Sequence, residues 1–532
     1  ECIKYCPMVR TGVETIVVGE HGKPVISEEL CEGCGICIKK CPFNAISIIG
    51  LPEELKGKET HRYGENGFVL YGMPIPKAGK ITGTIGENGI GKSTAIKILS
   101  GLQVPNLGKV NFEAEEENEK PSWDKIKKRY AGSELQNYFD KLAKGDIKVA
   151  YKPQYIDTIP EYFDGKVQEL LDITDERGVA KRLVKDFELE EARGRDIKEL
   201  SGGELQRVAI IATMIKDADF YFFDEITPYL DIYQRARVAR GMKEVLKDKA
   251  VVVVEHDLAI LDMLADYVHL IYGEPGKYGV VTMPKSTNRG INEYLSGFLH
   301  AENVRIRDKP IEFNVHPPRE QQEVRNVFVE YDGFEKRYGD DGFVLNAKPG
   351  SIGKGEVLGI VGRNAIGKST FVSVLAGETE PTAGKEAAQS FDINVSYKPQ
   401  YIKSLQSDER DIRVKDFIHS VKGELSEADI IDGINPLGVS DLEEKNLKEL
   451  SGGELQNVAI AACLCQDASL YMLDEPSAHL DVEQKTRLIK ILRRYVERRG
   501  VSGLIVDHDI YLIDLLSDRL MVFDGEPGVR GE

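Results

Sequence analysis

Gly86-Glu87-Asn88-Gly89-Ile90-Gly91-Lys92-Ser93 and Gly362-Arg363-Asn364-Ala365-Ile366-Gly367-Lys368-Ser369 both fit the pattern Gly-x-x-x-x-Gly-Lys-Ser. Each follows a short strand-like run, Ile81–Ile85 or Val357–Val361, and precedes a stretch with helical patterning. Strand, glycine loop, helix is the setting in which this spacing makes a phosphate-binding loop. Its N–H groups wrap the phosphates, and the helix N-terminus adds its dipole. Lys92 and Lys368 are expected to reach the β- and γ-phosphates, and Ser93 and Ser369 to hold Mg2+. Asn88, Gly89, Gly91 and Thr94, with Asn364, Gly367 and Thr370, belong to the same two cradles. Ala365 stands where the first loop has Gly89, a change of one methyl that leaves the site open.

The two loops belong to a duplication. Arg62-Tyr-Gly-Glu-Asn-Gly-Phe-Val-Leu70 recurs at 337–345 as Arg-Tyr-Gly-Asp-Asp-Gly-Phe-Val-Leu. Lys-Pro-Gln-Tyr at 152–155 returns at 398–401, Leu-Ser-Gly-Gly-Glu-Leu-Gln at 200–206 returns at 450–456, and Gly-Glu-Pro-Gly at 273–276 returns at 525–528. A period near 250 residues is a repeated domain and not a solenoid. The offset falls by 30 between the Gly-Lys-Ser and Lys-Pro-Gln pairs, so the first copy carries an insertion there. Within each copy the grain is α/β. Val251–Val254 and Leu504–Val506 read as buried parallel strands, and Thr486–Val496 as an amphipathic helix.

At 532 residues the chain has room for about three to five domains. Its hydrophobic content of 41% excludes a wholly disordered chain. A net charge of −18 provides no global field toward nucleic acid or anionic lipid, so any RNA contact must be local. No apolar run reaches 18 residues, and no signal peptide is apparent. The chain opens Glu1-Cys2 without a methionine, and residues before it are expected to be missing.

Phe220–Phe223 ends in Asp224-Glu225, and Ser469–Leu473 ends in Asp474-Glu475. Two carboxylates closing a buried strand are costly unless a cation or water meets them. Asp224 and Asp474 are placed near Mg2+, and Glu225 and Glu475 at the attacking water. His256 and His508 each follow the next apolar strand and are placed at the γ-phosphate.

Leu-Ser-Gly-Gly upstream of the acidic strand resembles the signature loop of the ABC ATPases, over roughly residues 57–532. The resemblance implies that Ser201 and Gly203 complete the site built on Lys368, and Ser451 and Gly453 the one on Lys92. It makes Gln154 and Gln400 the Q-loop residues at Mg2+, and Asp231 and Asp481 the D-loop residues. Tyr63 and Phe68, with Tyr338 and Phe343, are candidates to stack on adenine or simply to pack in the core. Ile226 departs from the family's usual proline, which the second copy has as Pro476. The two sites are therefore expected to hydrolyse at different rates.

Cys31-x-x-Cys34-x-x-Cys37-x-x-x-Cys41-Pro42 is the bacterial ferredoxin run for a 4Fe–4S cluster. In that arrangement the fourth cysteine serves the other cluster, and Cys6-Pro7 looks like the end of the partner run. One cluster is thus expected on Cys6, Cys31, Cys34 and Cys37. The second is expected to use Cys2 and Cys41, with two ligands lying before Glu1. Disulfides suit a secreted chain, which this does not resemble, and zinc is the other alternative. Cys463 and Cys465, in an apolar stretch, read as core residues.

The insertion, near Phe112–Asp146, reads as a helix-loop-helix: Ser122 caps Trp123–Tyr130, Gly132 breaks it, and Ser133 opens Glu134–Ala143. Lys125, Lys127, Lys128, Arg129, Lys141, Lys144 and Lys148 make it basic, by charge alone an ordinary solvated face. Trp123 anchors the piece. The segment after Gly276, with Lys285, Arg289, Arg305, Arg307 and Lys309, is basic too and is placed between the two domains.

Clusters ahead of twin ABC domains, with a helix-loop-helix in the first, resemble the ABC-E family, most closely its archaeal form. The fold class is α/β: two tandem P-loop nucleotide-binding domains preceded by a small α+β ferredoxin-like domain. The expected boundaries are 1–56 for the iron–sulfur domain, 57–290 and 326–532 for the nucleotide-binding domains, and 291–325 for a hinge. The resemblance implies a cytoplasmic, Mg2+-dependent ATPase that splits ribosomes into subunits after termination or rescue and stays on the small subunit. It implies as partners the small subunit and its rRNA, a release factor or its rescue paralogue, and initiation factors. No membrane partner is implied, and the chain is expected to be a monomer whose two domains pair internally. Two rivals from other classes are the ATPase subunit of a membrane transporter and an ATP-driven iron–sulfur redox protein.

Overall fold

The computed structural model describes residues 2–19, 22–27, 30–41, 45–46, 55, 57–109, 123–154, 156, 158–311, 327–339, 342–384, 394–400 and 411–532. Ser122, the expected cap of the insertion's first helix, lies outside them, as do residues 312–325 of the expected hinge.

Each copy is built on a five-strand parallel core. In the first its order is Val149–Lys152, Phe220–Asp224, Ala250–Val254, Ile81–Ile85, Tyr267–Glu274. In the second it is Val395–Lys398, Leu470–Asp474, Ser502–Val506, Val357–Val361, Arg519–Val522. The registers match, since Asp224 pairs with Val254 and Asp474 with Val506. Helices cover both faces, so the central strands are apolar on both sides and Val251–Val254 is wholly buried. The strand of the phosphate loop lies beside the histidine strand, which lies beside the acidic strand. Their carboxyl ends therefore open onto one crevice, where α/β sheets place their ligands.

The first copy's sheet extends through Tyr278–Val281, Val69–Tyr71 and Glu59–Arg62. In the second, Phe334–Arg337, Val344–Ala347, Gly525–Glu526 and Arg530–Gly531 form a separate four-stranded sheet. The repeated Gly-Glu-Pro-Gly turns have a clear job here. Gly276 N–H donates to Gly89 O at 2.9 Å and Gly528 N–H to Ala365 O at 2.8 Å, tying each turn to its phosphate loop.

The insertion forms helices Trp123–Arg129 and Glu134–Lys144. Ile126, Leu135, Tyr138 and Phe139 bury their apolar face against helix Lys92–Leu99 and strand residue Phe222, and Trp123 packs on Phe139. Ser133 does not cap with its side chain; its hydroxyl donates to Tyr130 O instead. The basic face is partly neutralised, because Lys127 pairs with Asp124 and Asp140, and Lys144 with Asp140.

The segment after Gly276 is ordered. Helix Thr287–Ser296 runs across the expected boundary at 290/291, and Phe298–Leu299 pairs with Val304–Arg305. Its expected basic character is largely spent inside the protein. Buried Lys285 meets Glu293 and Glu302 at 3.1 and 2.8 Å, Arg289 meets Glu293, and Arg307 meets Glu483 of the second copy at 3.1 Å. Arg305 and Lys309 remain exposed.

The N-terminal residues form helices Cys2–Tyr5, Pro7–Arg10 and Ile36–Lys40 and an antiparallel pair, Ile16–Val18 with Pro24–Ile26. Cys463 and Cys465 are buried core residues.

Candidate functional site

Gly91 and Gly367 begin the loop helices at φ +96° and +94°, a region that costs a residue with Cβ 1–2 kcal/mol. A Cβ at Gly91 would also strike Phe68 at 2.7 Å, and one at Gly367 would strike Phe343 at 2.8 Å. Phe68 and Phe343 thus pack behind the loops as supports. Tyr63 is about half exposed, with its hydroxyl 2.9 Å from Gln103 Oε1 and 3.3 Å from Thr94 Oγ1. Tyr338 is exposed under the Lys336 ammonium. Ala365 adopts φ +57°, so the methyl is tolerated at the cost of left-handed backbone.

Each loop lysine is turned into its own loop. Lys92 Nζ donates to Gly86 O and Glu87 O at 2.9 and 2.6 Å, and Lys368 Nζ to Gly362 O and Arg363 O at the same distances. Burial pushes Lys92 down, and pushes Lys368 down to about 8.

Opposite the lysines lie the strand-end carboxylates. Burial raises Asp224, whose strongest opposing influence is the Ser93 hydroxyl bonded to it. Oδ1 of Asp224 and Oδ1 of Asp474 are buried without a hydrogen-bond partner among the described residues. Such orphaned carboxylate oxygens, beside a serine hydroxyl and a glutamine, form a hard oxygen donor set that fits Mg2+. Thr370 follows Ser369 in the loop helix.

Glu225 Oε1 accepts from Gln154 Nε2 and Glu475 Oε1 from Gln400 Nε2, both at 2.6 Å. His256 Nε2 lies 3.7 Å from Glu225 and His508 Nε2 3.5 Å from Glu475. The two glutamates differ electrostatically. Burial, reinforced by Asp224 and Glu255, raises Glu225 to about 7. Burial also acts on Glu475, but the His508 hydrogen bond and charge, with Lys368 and Lys398, outweigh it and hold that carboxyl below its ordinary value. Burial lowers His256 well below an ordinary histidine.

The two copies meet head to tail. Asn364 N–H donates to Asp231 Oδ2 at 2.9 Å, and its side chain to Tyr229 O and Gln234 Oε1 at 2.8 and 3.1 Å. Asn88 does the same with Asp481, His479 O and Gln484 at 2.9, 3.1 and 3.3 Å. Ser201 and Ser451 cap the signature helices through reciprocal bonds with Glu204 and Glu454. Gly203 lies close to Asn364 and Gly453 close to Asn88. The structure therefore brings Ser201 and Gly203 to the Lys368 loop, and Ser451 and Gly453 to the Lys92 loop.

Lys152 and Lys398 were not singled out by sequence reasoning. Both are buried, and their ammonium groups bond the backbone carbonyls of Asp224 and Glu225, and of Asp474 and Glu475. A lysine repeated at the end of two buried strands was the available signal.

At the N-terminus one cavity is lined by Cys6, Cys31, Cys34 and Cys37, with Gly33 and Gly35 curling the loop at φ +66° and +73°. Burial pushes the Cys37 thiol up, with Cys31 and Cys34 adding to it. These four cysteines are the thiolate set a cubane cluster takes, and they border one cavity, although among the described residues no three ligands are drawn together closely enough to grip a metal ion. Cys2 and Cys41 lie outside that lining.

The ABC transporter profile matches residues 76–228 and 345–478, and a 4Fe-4S binding domain profile matches 24–47. A solved structure of ribosome-bound archaeal Pelota and ABCE1 has a chain 49% identical to this one, with TM-score 0.90, over 100% of this chain and 87% of that one. This chain belongs to the ABC-E family. An uncharacterized ABC transporter ATP-binding protein of Methanocaldococcus jannaschii is 49% identical over 100% of this chain and 86% of its own length. A crystal structure of archaeal ribosomal stalk protein aP1 with archaeal ribosome recycling factor aABCE1 is 48% identical, with TM-score 0.79, over 90% of both chains. As a member of the ABC-E family, the chain is an ATPase with tandem ABC domains and a 4Fe–4S binding domain. No described helix is long and apolar enough to cross a membrane.

Proposed function

We propose that this chain is a cytoplasmic ribosome recycling factor that uses ATP to separate the large and small subunits after termination or rescue, and then stays on the small subunit. The observation that carries the reading is the reciprocal clasp of Asn88 on Asp481 and Asn364 on Asp231, which makes each ATP site depend on both halves. It is supported by kinship to a recycling factor solved with a stalk protein and to a chain solved on the ribosome with Pelota. The partners are accordingly the small subunit with its rRNA, and a release factor or its rescue paralogue.

Lys92 and Lys368 bind the β- and γ-phosphates. Ser93, Gln154 and Asp224, and Ser369, Gln400 and Asp474, hold Mg2+, which offsets phosphate charge. Glu225 and Glu475 orient and polarise the attacking water, with His256 and His508 at the γ-phosphate. Ser201 and Gly203, and Ser451 and Gly453, reach the phosphate of the opposite half. ATP thereby binds the closed arrangement better than the open one, and that differential affinity is the available work.

Cys6, Cys31, Cys34 and Cys37 hold one 4Fe–4S cluster, and Cys2 and Cys41 contribute to a second. They stiffen the N-terminal domain as a lever, and a splitting rate that changed on cluster reduction would contradict this. The recycling reading is tested by light scattering from archaeal ribosomes on adding the protein, its release-factor partner and ATP. Scattering is expected to fall with the parent chain and to hold with the Lys92→Ala/Lys368→Ala variant. Ribosomes that stay intact with the parent would refute the reading.

A further inference from the structure

The peptide after the water-polarising glutamate is restrained differently in the two halves. Glu225 and Glu475 sit at φ +55° and +47°. Non-glycine residues hold such backbone only where their surroundings force it. In both halves the glutamate carbonyl is clamped. Lys152 Nζ and Gln206 Nε2 donate to Glu225 O at 2.5 and 3.0 Å, and Lys398 Nζ and Gln456 Nε2 to Glu475 O at 3.3 and 2.8 Å.

The far end of that peptide differs. Pro476 has no N–H, and its ring fixes φ near −65°. Ile226 lacks that ring but has an N–H, which donates to Glu255 Oε1 at 3.0 Å. Glu255 is fully buried and spends its other lone pairs nearby. It accepts from Thr227 N at 2.9 Å, Thr227 Oγ1 at 2.9 Å and His256 N at 2.7 Å. In the second half Asp507 takes this place. It accepts from Ser477 N and Oγ at 2.9 and 2.8 Å, and position 476 has no donor to offer. The longer acid thus occurs where proline is missing, and the shorter one where proline is present.

We propose that Glu255 is a positioning residue for Glu225: its bond to the Ile226 N–H supplies the backbone lock that Pro476 supplies in the other site. Because Glu255 also holds His256 N, one buried carboxylate sets both the water-polarising glutamate and the γ-phosphate histidine of the first site. This inference rests on the reading of Glu225 as the water-polarising residue.

The test uses the full, cluster-loaded chain in a Glu475→Gln background, so that turnover reports the first site. Glu255→Asp should reach residue 227 as Asp507 reaches 477, but should lose Ile226. It is expected to lower kcat about tenfold, the size of one charge-assisted hydrogen bond, with KM for ATP within about twofold. Ile226→Pro alone sets its ring against the Glu255 carboxylate and is also expected to lower kcat. The double variant Ile226→Pro/Glu255→Asp recreates the second half's pair and is expected to return to within about threefold of its parent. Melting temperature is measured alongside. If Glu255→Asp fails to fold, an active, folded double variant still supports the lock, and an inactive one overturns it. An unchanged kcat in Glu255→Asp, or a double variant no faster than Glu255→Asp, overturns it equally. Glu225→Gln serves as control: turnover that persists there overturns the role of Glu225, while its loss without rescue in the double variant overturns only that of Glu255.

Discussion

Asp481 uses its two carboxylate oxygens in two different halves of the protein. Oδ1 caps its own helix by accepting Gln484 N at 2.9 Å, and Oδ2 accepts Asn88 N, in the opposite phosphate loop, at 2.9 Å. Asp231 repeats this with Gln234 and Asn364. Serine can cap a helix but is too short to do both, so the two roles are separable. Asp481→Ser is expected to keep the melting temperature of the parent and to trap about tenfold less ATP in the Lys92 site. Nucleotide retained after rapid gel filtration measures it. Asp481→Ala is expected to lose about 1 kcal/mol of stability as well, from the missing cap.

The two signature glycines are not equally tight. A Cβ on Gly203 would meet Tyr229 O at 2.7 Å and Asn364 Nδ2 at 3.3 Å, whereas one on Gly453 would meet His479 O at 3.1 Å and Asn88 Nδ2 at 3.6 Å. Gly203→Ala must displace a carbonyl that Asn364 holds across the interface, an overpacking cost of about 1–3 kcal/mol. It is expected to suppress closure of the Lys368 site strongly, and Gly453→Ala to affect the Lys92 site much less. Fluorescence transfer between labels on the two halves, read with ATP, gives the comparison.

The cluster-bearing domain is fastened to the first nucleotide-binding domain by Asn66. Its Oδ1 accepts Ile26 N and its Nδ2 donates to Ile26 O, both at 2.8 Å. These bonds occupy the free edge of strand Pro24–Ile26, as a neighbouring strand would. Asn66→Ala is expected to speed hydrogen exchange at the Ile26 amide about tenfold or more while leaving the ATPase rate of the isolated protein unchanged.

His269 gives a pH-dependent stability with a definite sign. It is buried, and Nε2 accepts Ile75 N at 3.1 Å while Nδ1 faces Thr282 O at 2.7 Å, so the ring is neutral with its proton on Nδ1. Burial, with Lys77 nearby, pushes it down to about 4 from 6.5. Between those values the unfolded chain binds the extra proton. The stabilisation is therefore present above pH 6.5 and is lost as pH falls toward 4, by about 3 kcal/mol in all. The stability gap between the parent and His269→Gln in urea unfolding is expected to narrow over that window.

Much of the fold was legible because its signals are short and repeated. The phosphate loops, the strand-end acids and the histidines each stand beside a buried strand, and the structure places them together. The ends of Phe220–Asp224 and Ala250–Val254 adjoin because parallel registers leave them no other arrangement. What escaped the sequence depends on contacts between distant segments. Asn88 and Asn364 were read only as cradle residues, yet their side chains cross to the other half. Lys285, Arg289 and Arg307 were read as a basic stretch between the domains, but their charge is spent on carboxylates the spacing does not reveal: Glu293 and Glu302 further along the same segment, and Glu483 in the second copy. Phe68 and Phe343 were left between adenine and core, and only their fit against Gly91 and Gly367 shows them as loop supports. The pairing of Ile226 with Glu255 needed hydrogen-bond geometry to be seen at all.

The central claim is that ATP-driven closure ends with this protein on the small subunit. The Glu225→Gln/Glu475→Gln variant should bind ATP and stay closed, so it is incubated with archaeal lysate and ATP and followed through a density gradient. Comigration with free small subunits is the predicted result. Comigration with membranes, or with neither, would contradict the account.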